Sequence, residues 1–382
     1  MLSVSKMLSG QRESGDALRY TGARPPGPVV VWNATRACNL RCRHCYASAT
    51  PAPDAGELTT GEAVRFIDGL AAAGVPVLLF SGGEPLLRPD FFDLAAYARS
   101  RGIRPVVSTN GTLITRDRAW RLKETGVAYV GISLDGMREV NDRMRGLEGA
   151  FDAALEGIRH CKAVGQRVGL RFTITRDNYR DIDAIFDLVE REGIARVCFY
   201  HLVCTGRGAN LRERDLDPIE KRQVLDRILA RTEDFCRRGL GKEVLTVDNH
   251  ADAAYIYLKL SASRPEHAAQ VYDWLRRSGG NRSGIAIGAV DWHGNVYPDQ
   301  FTRGHVLGNV REKDFAAIWS NGAHPLLAAL RNRRPHLKGR CAACRWLDIC
   351  NGNFRARAEA VLGDFWAPDP GCYLTDEEIR PS

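Results

Sequence analysis

The chain has 382 residues, enough for about two domains at roughly 150 residues each, and its 44% hydrophobic and 26% charged residues match an ordinary globular composition, which excludes wholesale disorder. No apolar run approaches the ~20 residues that cross a bilayer, and the N-terminus lacks a continuous apolar segment or small-residue cleavage site, so a cytoplasmic protein without a membrane partner is expected. The net charge of +8, from 54 Lys and Arg against 46 Asp and Glu, favours anionic partners, but no concentrated basic block marks a nucleic-acid arm, and none is expected to bind.

Residues 1–27 are polar, end in a Gly- and Pro-rich stretch and show no sustained periodicity; they are expected to form an arm. From Val29 the chain alternates β-branched runs with helical patterns. The predicted strands are 29–32, 77–80, 105–108, 128–133, 167–175 and 196–202. A helix is predicted over 60–73, where Thr59 and Glu62 have capping-box spacing, Ala63, Phe66, Ile67 and Leu70 share a face, and Gly74 ends the helix. This βα alternation over residues 28–206 implies a parallel sheet with right-handed crossovers, open or curled into a barrel, with its chemistry at the strands' C-terminal ends. Residues 207–283 read as a helical connector, with charged helical pattern over 211–239 and a second helical region over 251–277. Residues 284–382 open on a β-like Ile-Ala-Ile and a turn at 292–295 and form a smaller module holding four cysteines.

Eleven cysteines in a reducing compartment point to metal or redox chemistry rather than disulfides. Directly after the first strand stand Cys38, Cys42 and Cys45, a CxxxCxxC spacing that puts three thiols on one loop. A structural zinc site wants four closed ligands, for which His44 is the available fourth, whereas an iron–sulfur cluster held by three cysteines leaves one iron free. Near the end, Cys341, Cys344, Cys350 and Cys372 can close a site completely, with zinc or with an iron–sulfur cluster. Cys161, Cys198, Cys204 and Cys236 have no ligand spacing and are expected to be core thiols.

The first loop resembles the signature of the radical S-adenosylmethionine (SAM, AdoMet) superfamily, whose catalytic domain is a partial (β/α)6 barrel of the TIM-like kind. The resemblance implies a [4Fe–4S] cluster on Cys38, Cys42 and Cys45 whose open iron chelates SAM, generation of a 5′-deoxyadenosyl radical, and an electron donor such as a flavodoxin or ferredoxin. Ser81-Gly82-Gly83-Glu84-Pro85 is similar to the family's GGEP motif, which implies that Gly82 and Gly83 let the backbone approach SAM and that Glu84 accepts from its ammonium. By position, Asn110 resembles a SAM-facing residue, Ser133 the ribose contact beside Asp135, and Arg145 a partner for the SAM carboxylate. His44 stands where the family usually has an aromatic residue against adenine.

The segment from Cys341 to Cys350 resembles the SPASM or twitch extension, which implies an auxiliary [4Fe–4S] cluster completed by Cys372. The turn at 292–299 lacks the cysteines of a second auxiliary site, so two clusters are expected in all. Arg24-Pro-Pro-Gly-Pro-Val-Val, Asn249-His250-Ala-Asp252, Gly294-Asn295-Val-Tyr-Pro-Asp299, Leu307-Gly-Asn-Val-Arg311 and the stretch 366–374 together resemble the NirJ family of haem d1 biosynthesis. That resemblance implies removal of two propionate chains from 12,18-didecarboxysirohaem, on the way to their replacement by oxo groups. The related haem b synthases, which convert propionates to vinyls, share the architecture. Arg282, Arg303 and Arg311 are candidate contacts for substrate carboxylates, and His201, His250, His293 and His305 for an iron centre. A peptide-modifying SPASM enzyme is the second enzymatic reading, although the stretch before Val29 is short for a leader-binding domain, and a metal-binding scaffold is the non-enzymatic one.

Overall fold

The computed structural model describes residues 1–11, 13, 15–20, 27–320 and 324–380; the Arg24-Pro-Pro portion of the N-terminal motif lies outside them. All six predicted strands form. In chain order the strands are β1 (Leu2–Ser3), β2 (Val29–Thr35), β3 (Val77–Gly82), β4 (Arg104–Thr109), β5 (Val130–Ser133), β6 (Val168–Ile174), β7 (Arg196–His201), β8 (Glu243–Val247), β9 (Ile287–Val290), β10 (Asn295–Tyr297) and β11 (Gly308–Asn309). They make one sheet in the order β1-β8-β7-β6-β5-β4-β3-β2-β9-β10-β11. The run from β8 through β2 to β9 is parallel throughout, and it stays open because β8 and β9 do not pair. This is a partial barrel.

Helices Thr60–Ala72, Phe91–Ser100, Arg116–Thr125, Ala150–Ala163 and Ile182–Arg191 follow successive strands and cover the outer face. The first begins with the expected capping box between Thr59 and Glu62 and buries Ala63, Phe66, Ile67 and Leu70. Those residues join a core that includes Trp32, Phe80 and Phe91, with Trp32 5.4 Å from the Phe66 ring centroid and 5.5 Å from that of Phe80. The other sheet face forms separate small clusters inside the barrel, such as Cys198, Tyr200, Leu245 and Val247. Period-two alternation therefore splits each strand between helix-facing and lumen-facing side chains.

Two expectations change. The region expected as a helical connector contains β8, which extends the parallel sheet beyond β7, before helices Ala251–Ser263 and Pro265–Ser278. The stretch expected as an arm contributes β1, antiparallel to β8 with Leu2 opposite Thr246, and a helix Val4–Ser9 whose Val4 and Met7 are fully buried. A two-residue strand and a six-residue helix are shorter than any window in which hydrophobic periodicity can be read. Among the described residues, no helix is long and apolar enough to cross a membrane.

Candidate active site

The strand ends and the terminal module enclose one cleft, and most of the residues predicted to hold the first cluster and AdoMet line it. Cys38, Cys42, Cys45 and His44 reach it from the loop after β2, Gly82 and Gly83 from the end of β3 and the turn that follows, Asn110 from just past β4, Ser133 from β5 and Arg145 from the helix Arg138–Arg145. Gln300 and Phe301 of the terminal module complete the wall.

The cysteine loop is held by backbone contacts from three sides. Arg41 N and Arg43 N donate to the carbonyls of Arg145 and Met144, Cys38 N donates to Thr50 O, and Arg207 donates through Nε to Cys42 O and through Nη1 to Ala49 O. Each of the three sulfurs meets an N–H donor: Leu40 N lies 3.4 Å from Cys38 Sγ, Ala49 N 3.5 Å from Cys45 Sγ, and Arg145 Nη1 3.6 Å from Cys42 Sγ. Asn110 Nδ2 adds a longer approach to Cys38 Sγ at 3.9 Å. Burial pushes the Cys38 thiol up to about 12 and that of Cys42 upward, so both stay protonated until a cationic centre displaces the proton.

The Gly82–Gly83 turn owes its composition to a close backbone approach within the chain. Gly83 N donates to Thr35 O and Glu84 N to Ala37 O, and a Cβ on Gly83 would stand 2.0 Å from Ala37 O. Gly82, at φ +115°, has the same constraint against Thr35 O at 2.5 Å. The glycines thus stitch the end of β3 to the start of the cysteine loop.

Glu84 is fully buried and does not line the cleft. Its Oε1 accepts from Thr109 Oγ1 at 2.7 Å and Leu86 N at 3.1 Å, and its Oε2 from Asn110 N at 2.8 Å. Burial raises its pKa despite these donors. In this arrangement Glu84 braces the tips of β3 and β4. The Asn110 amide is likewise engaged, donating to Asn39 Oδ1 and accepting from Thr112. Ser133 lines the cleft with no hydrogen bond to its hydroxyl among the described residues.

Asp135 organises the opposite wall. Its Oδ2 lies 2.6 Å from Arg145 Nη2 and 3.0 Å from His44 Nε2, while Oδ1 accepts from Thr173 N. Burial alone would raise the Asp135 carboxyl, but the Arg145 charge, with His44, outweighs it and holds the pKa at about 2. His44 therefore borders the cleft as the partner of a carboxylate, with its Nδ1 buried and unpartnered.

The four terminal cysteines form a second group, in which the neighbouring thiols add to the burial that raises Cys350 well above its ordinary value. Trp346 N donates to Cys344 Sγ at 3.5 Å. Among the described residues no three His, Cys, Asp or Glu side chains converge on a point one ion could occupy. Next to Cys372, Tyr373 donates to Asp252 Oδ1 at 2.7 Å, and Asp252 Oδ2 faces His201 Nε2 at 3.0 Å, linking this group to the cleft edge.

Other candidates are placed elsewhere. Arg311 is clamped to Glu62, Arg303 donates to Ala47 O, and neither they nor Arg282 line the cleft. His293 pairs with Asp54 and His305 with Glu359; with His250 they lie outside it, leaving His201 at its edge. The cleft arginines are Arg145, Arg171 and Arg207, of which sequence reasoning missed the last two.

Residues 32–189 match the Radical SAM superfamily and residues 287–345 the SPASM iron–sulfur cluster-binding domain. The chain is 54% identical over 394 aligned positions to the Fe-coproporphyrin III synthase of Methanosarcina barkeri, covering 99% of both chains. It is 42% identical to the pre-heme d1 synthase of Dinoroseobacter shibae, covering 92% of this chain and 88% of that one. The solved structure of Streptococcus suis SuiB bound to precursor peptide SuiA superposes with a TM-score of 0.73 at 19% identity, covering 91% of this chain and 76% of that one, a likeness of fold.

Proposed function

Because the chain belongs to the radical SAM superfamily and carries a SPASM domain, we propose that it removes carboxylate-bearing side chains from an iron tetrapyrrole, yielding Fe-coproporphyrin III. The single observation that carries this reading is the end-to-end agreement with the Methanosarcina barkeri relative. The radical SAM domain binds AdoMet and a [4Fe–4S] cluster, and the SPASM domain binds auxiliary iron–sulfur clusters. Once bound and reduced, the first cluster with AdoMet supplies a hydrogen-abstracting 5′-deoxyadenosyl radical.

In this reading Cys38, Cys42 and Cys45 hold the catalytic cluster, and Cys341, Cys344, Cys350 and Cys372 the auxiliary one. Asp135 fixes the guanidinium of Arg145 beside Cys42, where it can take the AdoMet carboxylate, and Ser133 offers a free hydroxyl on the same side. Gln300 and Phe301 close the mouth over the substrate and limit water.

The haem d1 reading is the second, favoured by the Dinoroseobacter shibae relative. The two differ in product: Fe-coproporphyrin III in the first reading, and in the second a tetrapyrrole that has lost two propionate chains of 12,18-didecarboxysirohaem. Mass spectrometry of the tetrapyrrole after anaerobic turnover separates them. Formation of Fe-coproporphyrin III is the expected result, loss of propionates selects the second reading, and 5′-deoxyadenosine formed without any tetrapyrrole change overturns the substrate class.

A further inference from the structure

Three arginines line the cleft, and two are committed. Arg145 belongs to Asp135 and Cys42, and Arg207 donates to the Cys42 and Ala49 carbonyls. Arg171 is different: among the described residues no carboxylate or carbonyl accepts from its guanidinium, which lies over the Tyr200 ring at 4.6 Å from the centroid. Buried arginines elsewhere in the chain are engaged by acceptors: Arg357 has Asp369 at 3.1 Å and Arg88 has Asp90 at 2.7 Å, while Arg333 and Arg355 donate to backbone carbonyls. Asp248, across the same cleft, feels the Arg171 charge but forms no ion pair with it.

The barrel makes room for this side chain. Arg171 sits on the lumen face of β6 between Gly169 and Thr173, opposite Ser133 in register. On the neighbouring strand, a Cβ at Gly131 would come within 2.8 Å of Arg171 Cδ. A half-buried cation lining a cleft without an ion-pair partner is costly unless a ligand supplies one, and a guanidinium stacked by its face presents its edge donors for a planar, bidentate acceptor.

We infer that Arg171 anchors a carboxylate of the substrate inside the barrel, fixing which side chain of the macrocycle faces the reacting centre. This rests on the tetrapyrrole reading above and adds to it a specificity-determining residue. Arg171 is a binding and positioning group in this role, with no covalent step of its own.

The test titrates the reconstituted holoenzyme, with AdoMet, against Fe-coproporphyrin III and against its tetramethyl ester, which keeps the ring and iron but has no carboxylates. The wild type is expected to prefer the acid. Arg171→Gln is expected to weaken acid binding by about tenfold to a hundredfold, as for loss of a hydrogen-bonded charged contact, while ester and AdoMet affinities hold. Arg171→Lys keeps the charge without the fork and should recover part of the loss; it also decides the matter if the Gln variant fails to fold. Equal losses for acid and ester, or no loss in either variant, overturn the assignment and leave the tetrapyrrole reading intact. A wild type that binds neither compound overturns that reading and this one with it.

Discussion

Asp135 and Arg145 form a buried ion pair, Oδ2 to Nη2 at 2.6 Å, whose guanidinium also reaches Cys42 Sγ. Asp135 is completely buried and Arg145 nearly so, which makes the pair a fixed part of the wall rather than a surface contact. Asp135→Ala leaves the Arg145 charge without its counter-ion, and breaking a buried pair in this way costs about 3–5 kcal/mol. Urea unfolding of the reconstituted protein is expected to show a loss of that order, together with weaker AdoMet binding by calorimetry. Unchanged stability would mean that water or the cluster loop takes over the role of Asp135.

Iron content tests the two cysteine groups separately. Replacing Cys38, Cys42 and Cys45 together by Ala is expected to leave roughly four of about eight irons and to abolish 5′-deoxyadenosine formation, given four irons per cubane. Replacing Cys341, Cys344, Cys350 and Cys372 should also remove about four while the other four remain. AdoMet cleavage that survives the first set would show that another site carries the catalytic cluster.

Glu84 shows where the sequence is legible and where it stops. Its place after the second strand could be read from the Gly-Gly-Glu-Pro run, but its three donors come from Leu86, Thr109 and Asn110, and the last two reach it only through the register of β3 against β4. The six central strands and the capped helix are readable because each carries its own local period. β8 is hidden, because five residues beside a charged helix give no βα alternation to extend. Arg171 is hidden for another reason: Gly169, Arg171 and Thr173 alternate with Leu170, Phe172 and Ile174, a pattern that reads equally well with the polar face toward solvent or toward a lumen. Only barrel curvature distinguishes them.

The brace at Glu84 makes its own prediction. Glu84→Gln keeps the shape but turns one acceptor oxygen into a donor facing Thr109 or the backbone N–H groups. It should lower stability by about 1–3 kcal/mol, the cost of leaving a buried donor unpaired. Denaturant titration and AdoMet affinity measured together separate this from direct contact: a large loss of affinity at full stability would show Glu84 to be an AdoMet ligand, as its motif implies.

Acid stability should depend on the clamp between the terminal module and the barrel. Arg311 donates through Nε to Glu62 Oε1 at 2.7 Å and through Nη2 to Oε2 at 3.0 Å. That bond, with the Thr59 amide, lowers the Glu62 pKa from 4.5 to about 2. A carboxyl depressed on folding stabilises the protein above its unfolded pKa and loses that contribution as pH falls, here between 4.5 and about 2. Because both groups are partly exposed, screening limits the effect to about 1 kcal/mol. Glu62→Gln is expected to lower the melting temperature at pH 7 slightly and to match the wild type near pH 2; a difference that persists there would mean that the side chain acts through packing.

Gly83 carries the sharpest steric prediction. Its φ is not in the left-handed region, so Gly83→Ala meets no backbone strain of that kind, and the whole effect comes from the Cβ set 2.0 Å from Ala37 O. The carbonyl cannot swing aside freely, because it accepts from Glu84 N at 2.7 Å and belongs to the residue that precedes Cys38. Relief requires the β3 turn and the start of the cysteine loop to separate, breaking that bond and the one from Gly83 N to Thr35 O. The expected outcome is a destabilisation of about 1–3 kcal/mol from overpacking, with further loss for the broken bonds. Because the displaced segment leads into Cys38, iron should be lost selectively from the first cluster, which iron analysis and electron paramagnetic resonance of the two reduced clusters would show. A Gly83→Ala protein with wild-type stability and both cluster signals intact would mean that the turn packs less tightly against Ala37 than this geometry requires.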